Sequence, residues 1–173
     1  LVYGVDPSTN LRMPFNRADY FISNANVPIR CAPGTGVLVK AVVSQDDGDF
    51  DSDEDGTDDF MPLLDCVADM QVVYGLDNDV DGDFEPLISA DGYSNDISAL
   101  TATQVRNQVK QVRVYILAHE GQRDPNYTYP NNSITVGEFG LGSNFNLTGI
   151  TNYQNYRWKV YTIVVNPNNM RST

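Results

Sequence analysis

The sequence predicts an α+β domain built mainly of antiparallel strands, with one short helix near residues 98–109 and long loops. Three observations lead there. Several runs are rich in β-branched and aromatic residues and alternate with a period of two. Only one stretch combines a helical pattern with a capping signal. The segments between the runs are dense in Asn, Asp, Gly and Pro, the residues of turns.

The elements follow in chain order. "LVYGV" (1–5) reads as a short strand stopped by the turn "DPSTN", and "ADYFIS" (18–23) as a short pairing strand. "CAPGTG" (31–36) is loop, and "VLVKAVVS" (37–44) is a β-branched strand. Within 61–76, the second half, residues 70–76, is a strand. In "SNDISALTATQVRNQVK" (94–110) either Asp96 or Thr101 caps a helix, which is short because the next segment turns strand-like. "QVRVYILAHE" (111–120) puts Val112, Val114, Ile116 and Ala118 on one face and Arg113 and Tyr115 on the other. Residues 121–156 read as turns and irregular chain. The last strand, 156–167, shares Trp158, Val160, Thr162 and Val164 on one face and Arg157, Lys159 and Tyr161 on the other. The alternation predicts a sheet with one face wet or covered by a partner. The 173 residues suit a single domain, 1–173.

Charge narrows the function. The chain carries −12, with 23 acids against 11 bases. Phosphate binding needs clustered Lys and Arg, so nucleic acid is excluded as a partner. Fourteen of the acids lie in two stretches, 46–59 and 77–85, and the remainder of the chain is about +2. The acidity therefore belongs to two loops.

Both loops have the start of a calcium-binding turn, with carboxylates at positions 1, 3 and 5 and Gly at 6. Asp77, Asp79, Asp81 and Gly82 fit it, with Asp83 offering a carbonyl and Glu85 at position 9. Asp51, Asp53, Asp55 and Gly56 fit it again, with Thr57 and Asp59 in the later places. Position 12, where an EF-hand has a bidentate Glu, is Ile88 in one loop and Pro62 in the other. The loops are calcium-like turns and not EF-hands, and a structural calcium ion would be held weakly, on the order of 10⁻⁴–10⁻³ M. The competing reading is a solvated acidic loop that repels itself.

No catalytic constellation is legible. His119 is the only histidine, and it reads as a surface or strand-end residue. No G-x-S-x-G is present. "GEFGLGSNFNLTG" (137–149) lacks the Lys of a phosphate loop and reads as a flexible surface loop. Trp158 reads as core. Sequons begin at Asn126, Asn131 and Asn146 and matter only in a glycosylating host. Cys31 and Cys66 are either two lone thiols or a disulfide made in an oxidising compartment.

The ordered segments also carry a family resemblance. Val67, Asp69, Met70, Gln71, Val72, Tyr74, Gly75 and Asp77, running into an Asp/Gly-rich turn, resemble a segment of the PilW-like minor pilins of type IV pilus systems. Val109, Val112, Arg113, Val114, Ile116 and Leu117 match the strand that follows the family's short helix. "YRWKVYTIVVNPNNMR" matches its closing strand, and an early "YFIS … C" segment fits as well. The minor pseudopilins of type II secretion (GspJ-like) are the nearest alternative. The acidic insert at 46–59 departs from the family pattern.

The resemblance implies a pilin-like head domain without enzymatic activity. It implies a preceding leader, cut by a prepilin peptidase, and a hydrophobic helix that anchors the subunit in the inner membrane and later packs in the pilus. Partners would be other minor pilins, in some systems with a tip adhesin. Location would be the periplasmic face of the inner membrane and then the extracellular pilus. In that setting Cys31 and Cys66 are expected to be bridged. The alternative from a different class is a secreted calcium-dependent adhesive or glycan-binding module, which the Asp-rich loops and the tyrosines would serve.

Overall fold

In the computed structural model the described residues are 18–42, 50 and 60–167. The strand expected at 1–5 lies outside them. One antiparallel sheet organises the rest, from β1 (Ala18–Ser23), β2 (Gly36–Val42), β3 (Phe60–Leu76), β4 (Gly92–Ser94), β5 (Val109–Glu120) and β8 (Arg157–Val165). A separate hairpin pairs β6 (Ser133–Val136) with β7 (Ser143–Asn146). The order across the main sheet is β1-β2-β3-β5-β8, with β4 also on β3. β3 is the spine: β5 lines one edge, while β2 takes the start of the other edge and β4 its last three residues.

The expected strand at 70–76 is thus only the end of a 17-residue strand. Pro62 hid the first half, because proline cannot donate to a ladder. It is accommodated opposite Val39, beside a register shift of the β2–β3 pair. A second irregularity of the same pair lies between Leu64 and Val67, where Cys66 has a left-handed φ of 61°. It bends β3 where the chain bonds to Cys31.

The single α-helix among the described residues, α1 (Ala102–Gln108), falls inside the expected range. Thr101 is its cap: its hydroxyl accepts from Gln104 N, and the Gln104 side chain accepts from Thr101 N, a capping box that satisfies two end donors. Among the described residues no helix is long and apolar enough to cross a membrane.

Residues 121–156 correct the expectation of irregular chain. They form β6, β7 and two 3-10 turns, Leu147–Gly149 and Tyr153–Asn155, and fold as a second layer over one face of the sheet. Val73, Tyr115, Leu117, Val136, Leu147 and Trp158 make the core between the layers. Full burial of each such apolar side chain contributes roughly 1.5–3 kcal/mol. The face carrying Arg113 and Tyr115 is therefore the covered face, and Tyr115 is 1% exposed. A smaller cluster of Leu38, Val67, Ile116 and Ala118 begins a core on the opposite face. Among the described residues that face is only partly covered.

Candidate functional site

The acidic loop after β3 is built around two buried carboxylates. The Asp77 backbone N–H donates to Gln108 O at 2.8 Å, which fastens the loop to the end of α1. The Asp77 side chain is fully buried and accepts from Asp81 N at 3.2 Å and Gly82 N at 3.0 Å. Gly82 has φ 105°, a conformation that favours glycine, and Val80, at φ 59°, adopts it without that freedom. From the far end of the loop, Asp91 accepts from Asn78 N and Glu85 N, both at 2.8 Å. Phe84 folds back on β3. A Cβ at Gly75 would come within 2.7 Å of its ring, so only glycine admits it there.

The carboxylates brought together are Asp77, Asp79 and Asp91, each offering an oxygen within 4.8 Å of the others. Asp91 was not read from the sequence, because it stands beyond a 12-residue calcium-loop window. Asp81 instead accepts from Asp83 N, and the side chains of Asp83 and Glu85 face solvent. Asp51, Asp53, Asp55, Thr57 and Asp59 lie outside the described residues.

The electrostatics of the loop are uneven. Asp79 is held above the ordinary carboxylate range by loss of solvent, then by the charges of Asp81 and Asp91 and, more weakly, of Asp77. For Asp91 burial pushes upward, but the hydrogen bonds from Glu85 N and Asn78 N, with smaller ones, outweigh it and hold the group low. Asp77 has a resident counter-charge: Lys110 Nζ lies 3.5 Å from its Oδ2, and both side chains are buried. Three oxygens this close are the donor set of a hard cation. The neighbouring ammonium opposes such an ion.

A second cluster surrounds the disulfide. Cys31 and Cys66 are bonded, which closes the loop between β1 and β2 onto β3. His119 sits against the bridge near the end of β5; of the surface or strand-end placement expected, the strand end holds and the surface does not, since the residue is 4% exposed. Its Nε2 accepts from Ala32 N at 2.9 Å, and its ring packs on Tyr156 and Trp158. Burial is the main cause that lowers its pKa, with the nearby Arg30 charge adding to it and the Glu120 and Gly121 carbonyls opposing. A neutral imidazole whose accepting nitrogen already holds a backbone amide is a structural group, not a poised base.

The glycine-rich turn expected to be a loose loop is pinned instead. Glu138 accepts from Arg113 Nη1 and from the Tyr115 hydroxyl, both at 2.9 Å. Phe139 stacks on Tyr93 with centroids 3.8 Å apart.

Among the described residues the open face of the sheet forms an apolar groove of about 700 Å³. Tyr20, Leu38, Met70, Val72, Val114 and Ile163 line it. A family model described as Type IV Pilus-assembly protein W matches residues 19–169. No curated protein and no solved structure matches the chain.

Proposed function

Because the chain belongs to the type IV pilus-assembly protein W family, we propose that it is the head of a non-enzymatic minor pilin that helps prime pilus assembly and joins the complex at the pilus tip. The observation that carries this reading is the half-closed sheet. One face is sealed by residues 121–156, while the other keeps Met70, Val72, Val114 and Ile163 at an apolar groove. A contiguous apolar surface of that kind marks an interaction site. The family's work is pilus assembly, so its partners are sought within that machinery: other minor pilins and, in some systems, a tip adhesin. In this reading the head stands at the periplasmic face of the inner membrane and then on the extracellular pilus.

Two measurements test it. The full-length gene should encode a prepilin-type leader and about 20 consecutive apolar residues ahead of this head. An ordinary secretory signal followed directly by the head would overturn the reading. Deleting the gene should reduce surface pili, and in-cell crosslinks from the groove should reach other pilus subunits.

Within the same reading, the loop after β3 takes a structural calcium ion through Asp77, Asp79 and Asp91. Supporting this are the closeness of their oxygens and the hydrogen bonds by which Asp77 shapes the turn. The Lys110 ammonium keeps the affinity low. The ion stiffens a surface that otherwise repels itself.

A further inference from the structure

We propose that the outer edge of β8 is a self-pairing surface, on which a second copy of this chain lays its own β8 antiparallel, joining two sheets across a two-fold axis. Among the described residues β8 ends the sheet, so no strand pairs with its far edge. Exposed edges are usually blunted by Lys, Pro, bulges or inward-pointing charge. The β5–β8 ladder has no bulge, running in continuous register from Val112 opposite Val165 to Glu120 opposite Arg157. The charges of the strand, Arg157 and Lys159, are confined to its start. Thr162, Ile163, Val164 and Val165 are uncharged and exposed, the last three at 49%, 45% and 49%. A regular, apolar, unguarded edge is a template for another strand.

Charge identifies that strand as a second β8. Gly82, Asp83 and Phe84 share a cleft with Asn166 and Pro167, so the acidic loop stands beside the C-terminal end of β8. At the other end are Arg157 and Lys159, each about half exposed. They hold Asp124 and Glu120 within the chain, and Arg123 lies close by on Asn155. Antiparallel pairing sets the acidic end of each copy beside the basic end of the other, twice by symmetry. Centred on Thr162, it places Lys159 opposite Val165, Val160 opposite Val164 and Tyr161 opposite Ile163. No like charges then face one another. Parallel pairing would oppose basic end to basic end and acidic loop to acidic loop.

The same register extends the open apolar groove, since Ile163 is part of its wall. The proposal stands on the strand edge and the charge distribution, and it holds whether or not the head serves in a pilus tip.

Sedimentation velocity and light scattering on the protein of residues 1–173, from micromolar to millimolar, test it. The expected result is a concentration-dependent dimer that weakens in high salt. Ile163→Lys, which leaves the covered core untouched, should weaken the dimer at least roughly tenfold by placing a charge at the edge. Circular dichroism confirms that this variant is folded. Thr162→Cys should crosslink to itself on oxidation, because directly paired antiparallel residues lie within disulfide reach. Tyr20→Cys on β1 should not. A protein that stays monomeric at millimolar concentration overturns the proposal. So does a dimer that a folded Ile163→Lys variant keeps at full strength, or one that crosslinks through β1 instead. A monomer whose β8 is covered by a strand of a different subunit overturns it as well.

Discussion

The Nε2 atom of His119 accepts the backbone N–H of Ala32 at 2.9 Å, fastening β5 to the residue that follows the Cys31 half of the disulfide. The bond needs a neutral imidazole. Burial lowers the folded-state pKa of His119, so the folded protein disfavours the proton that the unfolded chain accepts near ~6.5. Above that value neither state is protonated, and the stability from this residue is complete. As pH falls below it, the unfolded chain binds the proton first, and stability is lost until the lower folded pKa is reached. Melting temperature should therefore decline from about pH 7 towards pH 5. His119→Gln, which keeps an acceptor for Ala32, should flatten that decline. An unchanged slope in the variant would show that other groups set it.

The disulfide spans 35 positions, from the loop before β2 to the bend of β3. By loop-closure entropy it should contribute roughly 3–4 kcal/mol. Urea unfolding of a Cys31→Ser/Cys66→Ser double variant should show a loss of that size, with the loop between β1 and β2 opening first to hydrogen exchange. Equal stability in the two proteins would assign the loop's order to His119 and its neighbours alone.

Lys110 and Asp77 form a buried pair, 7% and 0% exposed. Lys110→Met removes the ammonium and leaves a buried carboxylate without its counter-charge, at a cost of about 3–5 kcal/mol. Asp77→Asn in addition should restore part of that loss, because the buried charge then disappears. The double-mutant cycle measures the coupling. Additive losses would mean that the pair does not act as a unit.

Asp79 separates the two readings of the acidic loop, since its side chain is exposed yet partly stripped of solvent by the loop and repelled by Asp81, Asp91 and Asp77. In chelator, Asp79→Asn should melt no lower than the unaltered protein, because repulsion is relieved. In millimolar calcium the unaltered protein should melt higher than in chelator, and the variant should lose that gain. A melting temperature indifferent to calcium would leave the loop as a turn neutralised by Lys110.

Local signals in the sequence carried some elements well. The β-branched run expected at 37–44, whose last two residues lie outside the described ones, the alternation of 111–120 and the cap, which Thr101 rather than Asp96 supplies, all rest on near neighbours. β6 and β7 were missed because they are four residues each and are joined by a glycine-rich turn, with Gly137, Gly140 and Gly142 between them. They hold their place through Glu138 with Arg113 and Tyr115, contacts 23 or more positions apart in the chain. The candidate site was legible in part. Asp77 and Asp79 were read from their spacing, but Asp91 enters only because β4 returns to pair with the end of β3.

The sequence by itself determined that the chain is a strand-dominated domain with its negative charge gathered in loops, and the segment order already resembled a pilus-assembly family. Propensity, capping and charge are properties of short stretches, so they can be read without coordinates. Only the tertiary structure decided which face of the sheet is closed. A period of two separates two faces but does not say which one a distant segment will cover, and residues 121–156 chose the face of Tyr115. The same long-range packing buried His119 against the bridge and set Lys110 beside Asp77, because both arrangements depend on strands that meet only when the chain is folded.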